Sequence, residues 1–125
     1  MLLTIQPNSP KPIYEQLILE IKKGIVLGEL SPGEGLPGGR VLAADLGINV
    51  HTVSKVYRHL EQEQVLARSK GGFIVHPDGR ILLSELGKAA FKSKLHELLV
   101  DKELHQMSDK EFEEMTQEIL STLRR

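Results

Sequence analysis

Residues 36–60 read Leu36-Pro37-Gly38-Gly39-Arg40-Val41-Leu42-Ala43-Ala44-Asp45-Leu46-Gly47-Ile48-Asn49-Val50-His51-Thr52-Val53-Ser54-Lys55-Val56-Tyr57-Arg58-His59-Leu60. Leu42, Ala43 and Leu46 recur as one face of a short helix, predicted over 38–46. Val53, Val56, Tyr57 and Leu60 do the same on a longer helix, predicted over 50–64. Gly47 lies between them, where the chain must turn tightly. Asn49 stands at an N-cap position, from which a side-chain oxygen can accept an amide of the first turn. The outward positions of the second helix are His51, Thr52, Ser54, Lys55 and Arg58. None is acidic, and each can donate to a phosphate or a base edge. Two helices joined by a glycine turn, the second donor-rich at its start, form the helix-turn-helix pattern that enters a DNA major groove.

Upstream, Ile13, Leu17, Ile21 and Ile25 recur every four residues, with Tyr14 and Ile18 beside them. This spacing predicts a helix over 12–27, with Pro12 in its opening turn and Gly28 closing it. Lys22 and Lys23 lie near its C-terminus, where the helix dipole favours cations. Residues 1–11 are expected to be extended, because Pro7 and Pro10 block helix. Met1, Leu2, Leu3 and Ile5 are apolar enough to pack on the domain. Ser31-Pro32-Gly33 reads as a turn, and 34–36 as a short extended piece.

Downstream, 65–69 and 73–75 read as strands joined by Lys70-Gly71-Gly72. A hairpin directly behind a recognition helix is a wing, and its glycine tip lets backbone approach a minor groove or phosphates. His76-Pro77-Asp78-Gly79 ends the pattern. Residues 1–77 are therefore expected to form a winged helix-turn-helix DNA-binding domain, and 78–125 a helical dimerisation segment. The fold class is mainly α with a small β-hairpin wing.

In the second segment, Leu83, Leu86, Ala90, Phe91, Leu95, Leu98 and Leu99 give a broad apolar face to a helix over about 81–100. Ser108 followed by Glu111 is a capping-box signature for a last helix. Phe112, Met115, Ile119 and Leu123 line the apolar side of that helix. Two helices cannot bury two such faces by themselves. Pairing with a second copy, or packing on the N-terminal domain, solves the problem.

Composition narrows the remaining classes. The chain has no cysteine, which removes disulfides and thiolate metal sites. Its five histidines, His51, His59, His76, His96 and His105, include no i, i+4 ligand pair. No metal or cofactor is expected. No apolar run nears the ~20 residues needed to cross a bilayer, and no signal peptide opens the chain. A cytoplasmic protein without membrane contact is expected. Gly33-Glu34-Gly35-Leu36-Pro37-Gly38 matches a dinucleotide fingerprint only formally, since a helix and not a strand precedes it and Pro37 interrupts it. No catalytic constellation has a supporting context, so no enzyme is expected. The net charge is −1. Over 40–72, however, Arg40, Lys55, Arg58, Arg68 and Lys70 outweigh Asp45, Glu61 and Glu63. A monomer this balanced should bind DNA weakly, and a dimer doubles the phosphate contacts.

The ordered elements Pro12-Ile13-Tyr14-Glu15-Gln16-Leu17, Gly28-Glu29-Leu30, Pro32-Gly33, Leu36-Pro37, Arg40, Leu42-Ala43 and Leu46-Gly47 resemble the GntR family of bacterial transcriptional regulators. So do Asn49, Thr52-Val53-Ser54-Lys55, Tyr57, Leu60-Glu61 and Gly71-Gly72-Phe73-Ile74-Val75. Together they cover residues 10–76. The short tail of 77–125 resembles the YtrA subfamily, in which the tail dimerises the protein. The resemblance implies a homodimer binding a palindromic operator on double-stranded DNA, usually as a repressor. By position it implies DNA contact from Arg40, from Asn49, His51, Thr52, Ser54 and Lys55, and from the wing tip Lys70, Gly71 and Gly72. Arg58, a full turn further along, is a weaker candidate. Gly38-Gly39 departs from the family pattern of Ser or Ala followed by a larger residue, and Val50 replaces a frequent Pro or Arg. The glycine pair removes an N-cap side chain, so the first turn of that helix is expected to order on DNA. The competing reading is a protein–protein interaction module on a winged-helix scaffold that does not read DNA. An unidentified small-molecule effector at the dimer interface stays open.

Overall fold

The structure, a computed structural model, describes residues 3–80 and 82–124. Met1 and Leu2, expected to pack on the domain, lie outside the described residues. The chain divides into two compact units, Met1–Ile81 and Leu82–Arg125. The first contains α1 (Ile13–Val26), α2 (Gly39–Leu46), α3 (Val50–Gln62), β1 (Leu66–Ser69) and β2 (Gly72–Val75). The second contains α4 (Glu85–Leu104) and α5 (Asp109–Leu123).

Helix α3 is the centre of the first unit and packs against α1, α2 and β1. The reason lies in its pattern. Val53, Val56, Tyr57 and Leu60 fall on one stripe, and all four are buried. Leu17 and Ile21 of α1 and Leu42 and Ala43 of α2 meet them, and Leu30, Leu66 and Val75 complete the core. Removing a side chain of this size from water is worth about 1.5–3 kcal/mol, so these residues supply most of what holds the unit together. Leu46, expected on the inner face of α2, is half-buried against the same core.

The Gln16 side chain ties the described N-terminal segment to α1. The Gln16 amide nitrogen donates to the Gln6 and Lys11 carbonyls at 3.0 and 2.8 Å, and its oxygen accepts from the Gln6 amide at 2.8 Å. With Gln16 buried, a single glutamine satisfies backbone groups that extended chain leaves open. This register places Leu3 and Ile5 against the core.

Between α2 and α3 the chain reverses at Gly47, whose φ of 68° lies in the left-handed region that glycine adopts without a Cβ penalty. Strands β1 and β2 pair antiparallel, with Leu66 opposite Val75 and Arg68 opposite Phe73. The extended piece at 34–36 adds a third rung. Gly35 bridges Ile74, the Leu36 amide donates to the Phe73 carbonyl at 2.9 Å, and the Val75 amide donates to the Glu34 carbonyl at 2.8 Å. The wing is thereby tied to the chain that leads into α2.

In the second unit, α4 begins four residues later than the periodicity predicts and ends four residues later. Ser84 caps it by accepting from the Gly87 amide at 3.1 Å, so Leu83 lies ahead of the helix, its side chain over Gly87. The extension to Leu104 runs through Lys102, a charged residue at a buried position. Its ammonium donates to the Asp109 carboxylate at 2.8 Å and to the Met107 carbonyl at 3.1 Å, and lies over the Phe112 ring at 5.8 Å. Lys102 is 8% exposed and closes the α4–α5 hairpin. Ser108 caps α5 by accepting from the Glu111 amide at 3.1 Å. Phe112 and Leu123 are half-buried. Leu86, Phe91, Leu95, Leu98, Leu99, Met115 and Ile119 are exposed, Phe91 at 62%.

The hydrogen bond from Lys102 holds the Asp109 carboxyl below its ordinary 3.8, and the same bond raises the Lys102 ammonium above its ordinary 10.5 despite burial. The carboxylate's contribution is present above pH 3.8 and is lost as pH falls through the depressed value. The ammonium's contribution is present below pH 10.5 and is lost as pH rises through the raised value. Hydrogen-exchange protection of α5 amides should therefore fall on acidification below pH 3.8. Asp109→Asn should lower protection at pH 7 and abolish the acid step, whereas an unchanged acid step in Asp109→Asn would place the titration elsewhere.

Candidate nucleic-acid interface

The buried stripe of α3 fixes what its opposite face presents. At about 100° per residue, His51, Lys55, Arg58 and Gln62 point directly away from Val53, Val56 and Leu60. Ser54 flanks them on one side, and Thr52 and His59 on the other. His51, Lys55 and Arg58 are exposed, and Thr52 and Ser54 are half-buried. No acidic side chain occurs from Leu46 to Leu60. The Asn49 side chain accepts from the His51 amide at 2.7 Å, so its oxygen caps α3.

Tyr57 positions the neighbouring elements. Its hydroxyl donates to the Pro37 carbonyl at 2.7 Å, and its ring meets Phe73 of β2 at 5.2 Å between centroids. Burial pushes the phenol up to about 12, which favours the protonated form that donates to Pro37. One α3 residue thus holds both the entry to α2 and the wing.

The α2 N-terminus is built from Gly38 and Gly39, and no side chain caps it. Its first turn is nonetheless formed, with the Leu42 amide donating to the Gly38 carbonyl at 2.9 Å. The anchoring of Pro37 by Tyr57 and the burial of Leu42 and Ala43 supply what the missing cap does not. Arg40 is exposed on this first turn.

The wing turns at Lys70 and Gly71, where Gly71 has a φ of 74°. Between wing, α2 start and α3 lies a groove of about 630 Å³. It brings together Ser54, Arg58, Lys70, Gly71 and Gly72 with Gly38, Gly39 and Arg68. A shallower hollow of about 610 Å³ on the other flank of α3 is lined by Tyr14, Thr52, Lys55, Arg58, His59 and Gln62. Arg58 lines both and forms the ridge between them. Arg40, Asn49 and His51 line neither. The sequence reading puts Arg68 on the first strand of the wing and counts its charge, but gives it no contact. It lies two residues from the buried Leu66 and so on the same face of the strand, where period-2 pattern alone predicts burial and not a ligand-facing group, and its neighbours across the hairpin are not readable from pattern.

A three-helix core, a donor-bearing helix beside a glycine-tipped hairpin, and two grooves flanking that helix define a winged helix-turn-helix DNA-binding protein. The model of the GntR family of bacterial regulatory proteins matches residues 13–75. The chain is 35% identical over 101 residues to the HTH-type transcriptional repressor YtrA of Bacillus subtilis, covering 80% of this chain and 78% of that one. A solved structure described as a transcriptional antiterminator from Listeria monocytogenes EGD-e superposes with a TM-score of 0.91 at 31% identity, covering 98% of this chain and 92% of the other. AraR(DBD) in complex with operator ORX1 gives a TM-score of 0.51 at 29% identity, covering 58% of this chain and 92% of the other. The chain belongs to the GntR family and is a DNA-binding transcriptional regulator similar to YtrA.

The glycine pair allows a direct check on how α2 is held. A Cβ built on Gly39 meets Val53, Ser54 and Val50 side-chain atoms at 3.8–4.0 Å, ordinary contact. Glycine disfavours helix by up to about 1 kcal/mol relative to alanine. Gly39→Ala should therefore raise the thermal midpoint by a few degrees, an order of magnitude expected for a small domain. A lower midpoint would mean that the turn needs glycine.

Proposed function

We propose that two copies of this chain, joined through α4 and α5, bind a palindromic operator and repress transcription by occluding polymerase. The observation that carries the reading is the acid-free outer face of α3, with the groove it shares with the wing beside it. His51, Thr52, Ser54 and Lys55 face base edges and phosphates. Arg40 steadies the groove from α2, Arg58 stands on the ridge, and Lys70, Gly71 and Gly72 approach the flanking backbone. Asn49 contributes by ordering the first turn of α3.

The pairing rests on the exposed apolar residues of α4 and α5, an unpartnered surface of a kind that marks association sites. A two-fold dimer would set its recognition helices about 34–36 Å apart, one turn of DNA. Any small molecule or partner that favours a different spacing would relieve repression. The site of action would be the cytoplasm, where the operator is. Near-neutral net charge alone would suit a module that binds only proteins. The concentration of donors on one helix face and the operator-bound relative favour DNA.

Fluorescence anisotropy tests the reading. The full chain should prefer duplex from upstream of its own coding region over scrambled duplex. Binding should weaken as salt rises, because each neutralised phosphate adds about 0.9 to the log–log salt slope. Arg40→Ala and Lys55→Ala should each weaken it. Feeble, salt-insensitive binding to any duplex, unchanged in both variants, would contradict the reading.

A further inference from the structure

We infer that Arg68 is a backbone-phosphate contact, presented to the groove beside α3 by Glu61 and Phe73. The inference rests on the DNA-reading function and adds a residue to it. The Arg68 Nε donates to the Glu61 carboxylate at 3.2 Å to one oxygen and 3.4 Å to the other. The guanidinium lies 4.8 Å from the Phe73 ring centre, across the strand pair. Phe73 in turn rests on Tyr57.

The side chain is therefore fixed on one edge and one face while 64% exposed. An exposed ion pair of this kind is worth about 0–1 kcal/mol, too little to make it a main support of the wing. It is well suited to orientation. A guanidinium engaged through Nε keeps its two terminal nitrogens as a fork matched to two phosphate oxygens. The groove that Arg68 lines also holds Arg58, Lys70 and Ser54, and its floor includes Gly38 and Gly39. At Gly38 and Gly39 no Cβ projects into the groove, which leaves room there for the close approach of a backbone. A phosphodiester within a strand fits this shape, and a free phosphate ester shares the chemistry.

The test uses the full chain and the tightest duplex available. Arg68→Gln should weaken binding to all sequences about tenfold or more, as removal of a charge-assisted bond predicts. It should also lower the salt slope by about 0.9 for each phosphate that is no longer neutralised. Single methylphosphonate substitutions along each strand should reveal a phosphate whose neutralisation weakens the wild-type chain and leaves Arg68→Gln unaffected. Glu61→Gln breaks the ion pair but keeps the guanidinium, so its salt slope and its sensitivity to that phosphate should remain.

An unchanged slope in Arg68→Gln on a duplex that the wild-type chain binds well would overturn this inference alone. Equal weakening in Arg68→Gln and Glu61→Gln, with no phosphate silenced, would make Arg68 a support of the wing and overturn it too. Inorganic phosphate that shifts the Arg68 and Gly39 amide signals, with DNA binding indifferent to Arg68→Gln, would assign the groove to a free anion. A wild-type chain that prefers no duplex would remove both this inference and the function on which it rests.

Discussion

The phenol of Tyr57 is the contact on which the DNA-facing surface depends. It reaches from the buried stripe of α3 to the Pro37 carbonyl, and its ring packs on Phe73. Those two contacts set the start of α2 and the wing relative to the same helix. A buried hydroxyl without an acceptor would cost about 1–3 kcal/mol, so Pro37 is held where the donor needs it. Arg40 follows three residues after Pro37, and Arg68 pairs across the hairpin from Phe73. Groups from three elements thus acquire fixed places around α3 through one side chain.

Electrostatics operates on this geometry locally. A net charge of −1 describes the whole chain and not the face that meets the ligand. Burial of Val53, Val56, Tyr57 and Leu60 turns Lys55 and Arg58 outward together, and Glu61 near the end of α3 pairs with Arg68 of β1. Lys22 and His59 both reach Glu63 at 3.0 Å, so that carboxylate is engaged on the side of α3 facing α1. Glu61 and Glu63, the two acids at the end of α3, thus act through basic partners.

Most of the first unit is legible in the sequence because its apolar residues repeat cleanly. The inner faces of α1, α2 and α3, the Gly47 turn and the Asn49 cap all follow from local pattern. Two features of that unit do not, and neither do the bounds of α4 in the second. The linkage of Gln16 to the N-terminal segment depends on backbone ten residues away in sequence, which periodicity does not encode. The Arg68–Glu61–Phe73 arrangement depends on hairpin register. Periodicity starts α4 four residues early because Leu82 and Leu83 continue the apolar run ahead of the Ser84 cap. It ends α4 early because Lys102 fills a buried position with a charge. The candidate site is legible as a set of donors. Its division into two grooves, with Arg58 as the ridge, arises only in three dimensions.

The central claim is that two copies of this surface act together on DNA. Selection of bound duplexes from a random pool by the full chain tests it most directly. The account predicts enrichment of an inverted repeat whose half-sites are centred about one helical turn, roughly 10–10.5 base pairs, apart. Enrichment of a single unrepeated half-site would contradict pairing through α4 and α5. A pool that stays random would contradict sequence-specific reading by α3.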